Sequence, residues 1–181
     1  VQITSARSNQ TNPSIYGDKI VYQDDKDGNQ DLYLYDLARS KEFRLTNNPA
    51  DQINPEIYGN IVVWQDNRNG DWDIYMANLD FFLTAPEPIP DPQEVYGNVN
   101  ISATVFSAQP ISEVWVKITD PNGLTVGNFS MSYDAANDEY YYNAPYSIVG
   151  IYNCAIWAKD VGDNWTSSSG SFVIQDTTKP S

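Results

Sequence analysis

The segment IYGDKIVYQDDKDGNQDLYLYDL (15–37) returns as IYGNIVVWQDNRNGDWDIYMANL (57–79), an offset of 42 residues. Such an internal repeat governs the reading of everything around it. Working outward, Ile3, Thr4, Gln10, Asn12 and Pro13 face Leu45, Thr46, Gln52, Asn54 and Pro55, so nearly all of residues 1–79 follows one template. Period-two apolar runs between Gly-rich turns predict short strands at 12–17, 19–24 and 31–37, and again at 54–59, 61–66 and 73–79. EFRLT (42–46) supplies a fourth strand to the first copy. In the third strand Leu32 and Leu34 alternate with Tyr33 and Tyr35, which implies a sheet covered on both faces.

A four-stranded, doubly covered sheet of this length has the size and pattern of a β-propeller blade. The string NP.IYG....V.WQD.R.G.WDIY...L followed by LTNN resembles the TolB-like propeller repeats of archaeal and bacterial cell-surface proteins, including surface-layer-related proteins. The resemblance covers under half the chain and implies a binding or structural scaffold, not an activity. The second copy stops after its third strand, at Leu79, while VQIT (1–4) aligns with FRLT (43–46). Residues 1–5 are therefore expected to be an outer blade strand without a blade of its own. Two blades cannot close a ring, and a bare pair leaves apolar faces open to water. Either the chain belongs to a longer array or copies assemble head to tail. In the second case Val1, Gln2, Ile3 and Thr4 form an assembly strand that completes the neighbour's second blade, and three or four copies close a six- or eight-bladed ring.

The expected organisation is two TolB-like blades over 1–82, a Pro-rich linker over 83–92, an immunoglobulin-like β-sandwich over 93–176 and a closing linker over 177–181, an all-β fold throughout. Prolines at 86, 88, 90 and 92 favour an extended spacer, with Phe81 and Phe82 packed on the second blade. Strand-like runs at 98–107, 112–120, 125–134, 138–146, 150–160 and 169–176, with no helical periodicity, argue for a Greek-key sandwich. The pattern Gly150, Tyr152, Cys154, Ala158, Asp160, Gly162 and Asn164 resembles immunoglobulin-like or fibronectin-III-like modules of microbial surface proteins. That resemblance implies a tyrosine corner at Tyr152 and a core tryptophan at Trp115. Residues 98–107 contain no partner for Cys154, which is expected to be a small buried hydrophobe beside Ile101, Ala103 and Val105.

With 24 acidic against 10 basic side chains and no histidine, the formal charge is −14. Nucleic acid and anionic membranes are poor partners for such a surface, and no run approaches the roughly 18 apolar residues of a membrane span. The absence of histidine excludes serine triads and ordinary zinc sites.

Among candidate sites, Asp25, Asp27, Asn29 and Asp31 around Gly28 have the oxygen-rich look of a calcium loop. A polar hairpin turn explains the same residues, and calcium is the only cofactor in view. Asp24 and Asp66 occupy one slot in successive repeats, so they are expected to serve the fold rather than act as a catalytic acid pair. Trp72 and Trp165 lie in turns and are candidate ligand-binding aromatics. Four sequons, at Asn9, Asn100, Asn128 and Asn164, are compatible with glycosylation and a secreted glycoprotein. No catalytic residue is assigned. The expected role is a non-enzymatic, extracellular structural or adhesive module of an envelope layer or filament, partnered by its own copies, neighbouring envelope proteins or glycans. The alternative is a carbohydrate- or protein-binding accessory region of a secreted enzyme or TolB-like envelope complex.

Overall fold

The computed structural model describes residues 1–178 and is all-β, with no helix among them. Residues 179–181 of the expected closing linker lie outside the described residues. The chain divides into two compact units, Val1–Asp80 and Phe81–Ser181.

In the first unit, β1 (Gln10–Tyr16), β2 (Lys19–Asp24), β3 (Asp31–Asp36) and β4 (Lys41–Arg44) form an antiparallel sheet in sequence order. The second copy builds a three-stranded sheet from β5 (Gln52–Tyr58), β6 (Ile61–Asp66) and β7 (Asp73–Asn78). The backbone repeats along with the sequence. Both innermost strands carry a bulge at an Asn-Pro step, between Thr11 and Ser14 and between Ile53 and Glu56. Asn12 and Asn54 sit there at φ of 50° and 54°, a left-handed conformation that asparagine tolerates better than most side chains. The hairpin turns place Gly28 and Gly70 at φ of 97° and 100°, where a side chain would be strained. Strand β5 packs against β1, β2 and β3, so the second sheet covers one face of the first. Val1–Asn9 form no strand in the single chain, and the expected outer strand over 1–5 has no ladder partner within it.

In the second unit, β8 (Phe81–Leu83), β9 (Glu87–Ile89), β10 (Gln93–Glu94), β11 (Asn98–Ala103), β12 (Val105–Ser107), β13 (Ile111–Thr119), β14 (Thr125–Ser130), β15 (Ser132–Asp134), β16 (Glu139–Pro145), β17 (Gly150–Asp160) and β18 (Trp165–Gln175) follow in turn. One sheet has the order β10-β18-β17-β13-β14 and the other β15-β16-β11-β9, with a β12-β8 pair beside them. Side chains alternate inward along the long strands. Val99, Ile101, Val114, Val116, Ile118, Ile156 and Phe172 are buried in one core.

Two expectations change here. The stretch 83–92 is not a free spacer. Phe81–Leu83 pair with β12, Glu87–Ile89 pair with β11, and Phe81 packs on the sandwich core. Strand β9 is the outermost of its sheet, where proline's missing N–H costs no ladder bond, so the same prolines that suggest a linker are compatible with an edge. Trp115 is not the core tryptophan. Val114, Val116 and Ile118 point inward, and the strand's period of two turns Trp115 to the outer face. There it stacks on Trp157, its cross-strand partner, with ring centroids 5.1 Å apart.

Other readings hold. Tyr152 is buried, and its hydroxyl accepts the backbone N–H of Ile148 at 3.2 Å, upstream of its own strand. Cys154 is buried and unpaired. Ile101 and Ala103 are in the core, while Val105 packs at its margin.

Candidate functional site

The repeat turns each blade face into a pair that can be compared position by position. On the face of the first blade that meets the second, Val21 pairs with Leu34 and Gln23 with Leu32. All four are buried. Gln23 identifies the direction of this face, because its Oε1 accepts the backbone N–H of Asn54 at 3.0 Å and the Asn12 side-chain amide at 2.9 Å. Asn12 also donates to Asn54 Oδ1 at 2.8 Å, and the Gln52 N–H donates to the Gln30 carbonyl at 2.7 Å. The second blade answers with Ile57, Val62 and Trp64, all buried.

The corresponding forward face of the second blade carries Val63 paired with Met76 and Gln65 with Ile74. It is open. Ile74 is 73% exposed where its counterpart Leu32 is at 0%, and Val63, Met76 and neighbouring Tyr58 are exposed as well. On the rear face of the first blade Ile15 is exposed where Ile57 is buried, whereas Tyr22 and Tyr33 on that same face are buried. One unit therefore leaves bare the forward half of the interface that it makes internally, and on the opposite side Ile15.

The outer edge shows a second correspondence. Thr46 Oγ1 accepts the Leu32 N–H at 2.9 Å and donates to Asp31 Oδ1 at 3.1 Å, closing the first blade beyond β4. In the second blade no strand follows β7, and Asp73, the counterpart of Asp31, is exposed. Thr4, the counterpart of Thr46, donates to Gln10 Oε1 at 3.3 Å.

The proposed calcium residues are each held by protein groups. Asp25 accepts the backbone and side-chain amides of Asn9 at 2.9 and 2.7 Å. Asp27 accepts from the Tyr33 hydroxyl at 2.9 Å and pairs with Arg44 at 3.2 Å. Asn29 donates to the carbonyls of Asn48 and Ala50. Asp31 is buried against Arg44 at 2.6 Å. Burial raises the Asp31 carboxyl above the ordinary value, against the pull of the Arg44 charge. A guanidinium thus sits between Asp27 and Asp31, and among the described residues no group of three or more acidic, cysteine or histidine side chains is placed to hold a metal ion.

Asp24 and Asp66 cap their own turns. Asp24 accepts the Lys26 N–H and the Gln10 amide, whereas Asp66 accepts the Arg68 N–H, its guanidinium and the Trp64 indole. Burial would raise the Asp66 carboxyl, but the Arg68 and Trp64 bonds hold it below the ordinary value.

Trp72 and Trp165 are both exposed. Trp165 meets Trp115 edge-on at 6.1 Å, with Lys159 5.3 Å above its ring. Of the sequons, Asn128 is exposed, Asn100 is half-buried, and Asn9 and Asn164 donate their amides to Asp25 and Asp160. The aromatic grouping of Trp115, Trp157 and Trp165 escapes a reading of single residues. The signal that reveals it is strand register, which places Trp115 opposite Trp157 and Lys159 opposite Trp165.

No family model matches the sequence, and no curated protein matches it. Among solved structures, it is similar to a putative TolB from Agrobacterium tumefaciens at 18% identity and a TM-score of 0.37, over 81% of this chain and 61% of that one. A tetra-tandem repeat from the extending region of a large adhesion protein is similar at 16% identity and a TM-score of 0.43, over 90% and 48%. CopC from Methylosinus trichosporium OB3b is similar at 15% identity and a TM-score of 0.42, over 56% and 99%. The chain thus spans less than two thirds of the TolB-like and adhesion-protein chains.

Proposed function

We propose that this chain is a non-enzymatic, extracellular structural or adhesive module that associates through the open faces of its first unit. The observation that carries the reading is the contrast between buried Val21, Leu32 and Leu34 and exposed Val63, Ile74 and Met76. A sequence that repeats an apolar face and leaves the second copy of it bare carries a surface already shaped for a third sheet of the same kind. On the rear of the first blade Ile15 is exposed, while Tyr22 and Tyr33 are buried. A second copy of this chain supplies such a sheet, in a heterologous, head-to-tail contact that closes into a ring if the rotation permits and runs on as a filament otherwise. In that contact Val1, Gln2, Ile3 and Thr4 lie along β7 of the neighbour, and Thr4 takes the role at Asp73 and Ile74 that Thr46 takes at Asp31 and Leu32.

Sedimentation across a concentration series tests this reading. The expected result is a mass that rises to a multiple of the chain and falls back to the monomer when Ile74 and Met76 are both replaced by aspartate. A compact monomer at every concentration overturns it.

A further inference from the structure

The second unit contains a cleft of about 410 Å³ that the faces described above do not use. Its origin is a strand that changes sheets. Ser130 is the last residue of β14 and pairs with Trp115 in one sheet, while Ser132 opens β15 and pairs with Tyr141 in the other. Met131 makes the crossing, its N–H donating to the Val114 carbonyl at 2.9 Å and its side chain buried in the core. Ahead of that crossing, Ile111–Glu113 keep a strand neighbour only on the β17 side. The space opened there is lined by Ser112, Glu113, Trp115, Ser130, Tyr133 and Tyr140, with Met131 among the apolar residues beneath.

We propose that this cleft binds an uncharged saccharide through the face of Trp115 and the carboxylate of Glu113. The proposal rests on the adhesive reading and names what the module would adhere to. Its volume lies in the range of small-molecule sites, roughly 300–1,000 Å³. The lining joins flat apolar rings to polar groups at their edges, as a sugar ring does with its C–H face and its rim of hydroxyls. Tyr133 packs at a tilt against Tyr140 at 5.0 Å, and Trp115 is backed by Trp157, so the aromatic walls are fixed in advance.

The hydrogen-bonding capacity points the same way. The Trp115 indole N–H is buried with no partner, and such a donor costs free energy until something accepts from it. Ser112 Oγ donates to the carbonyls of Lys159 and Asp160, and the Tyr133 hydroxyl donates to Asp138. The Ser112 oxygen retains acceptor capacity. Glu113 adds a carboxylate, exposed and 3.9 Å from Lys159. Hydroxyl and carboxylate acceptors beside an aromatic wall suit a ligand whose hydroxyls donate. A lipid tail would leave these groups unpaired. An acidic sugar would meet Glu113 with no guanidinium in the lining to offset the repulsion.

The test uses the whole chain, isotopically labelled, and follows its five tryptophan indole N–H signals while cellotriose, chitotriose, mannotriose, maltotriose or an oligogalacturonate is added. At least one neutral oligosaccharide should shift the Trp115 signal saturably, Glu113→Gln should weaken that response about tenfold, and the oligogalacturonate should not produce it. Overturning results are no response at Trp115 to any of the neutral sugars, a response confined to Trp72, or a response unchanged in Glu113→Gln. Glu113 is exposed, so its variant is expected to fold. A chain that self-associates but leaves the Trp115 signal unmoved refutes the cleft alone. A monomer that binds sugar refutes assembly alone.

Discussion

Leu34 and Met76 hold the same place in the repeat, and one is sealed at 0% exposure while the other stands 59% open. The difference is not in their chemistry, since both are long apolar side chains on the third strand of a blade. It lies in whether a sheet follows. Leu34→Ala should therefore cost about 2–5 kcal/mol of unfolding free energy through lost burial and a residual cavity. Met76→Ser should change the monomer by no more than about 0.5 kcal/mol. Urea unfolding of the two variants at low protein concentration measures the contrast.

Arg44 sits between Asp27 and Asp31, 3.2 and 2.6 Å from their carboxylates. Asp31 is buried while Arg44 retains some solvent contact. Arg44→Met should strand the carboxylate, and a cost of about 3 kcal/mol is expected, the lower end for a broken buried pair. Replacing Asp31 by asparagine in the same chain should restore part of it. Thermal unfolding of the single and double variants checks both statements.

Asp66 makes the fold sensitive to acid in a defined direction. Its folded carboxyl lies below the ordinary 3.8 because Arg68 and Trp64 favour the charged form over the opposing effect of burial. A carboxyl lowered on folding stabilises fully above its unfolded value and loses that contribution as pH falls through the folded one. Stability should thus drop below about pH 4, and Asp66→Asn should show a shallower fall over the same interval. Denaturant midpoints measured from neutral pH downward give the two slopes.

The thiol of Cys154 is pushed up to about 12 by burial in the sandwich core. It should react with a disulfide reagent at pH 8 only as fast as the unit opens, and at once in denaturant. Rapid stoichiometric labelling of the native chain would contradict its placement beside Ile118, its cross-strand partner.

Removing the Tyr152 hydroxyl should leave the Ile148 N–H without its acceptor. A loss of about 1 kcal/mol is expected for Tyr152→Phe, with the ring packing against Phe172 kept. Comparison of unfolding midpoints with the unaltered chain decides it.

Local information settled a great deal here. The repeat, the turn glycines at 28 and 70, and the alternation within each strand were legible in the chain because period-two burial and positive-φ turns impose residue types directly. That Asp24 serves the fold was legible too, and it caps its own hairpin, while the bond of Gln23 to the Asn54 N–H across the two sheets belongs to the tertiary structure. What composition could not convey was partnership at a distance. A proline such as Pro88 looks the same in a spacer and at a sheet edge, because both environments leave the missing N–H unneeded. Trp115 is as apolar as a core residue, and only the register of β13 against β17 places it outward beside Trp157. The sequence by itself determined which strands form and which faces are apolar. The tertiary structure alone decided which faces are covered, since burial depends on what packs opposite, and that depends on contacts between residues far apart along the chain.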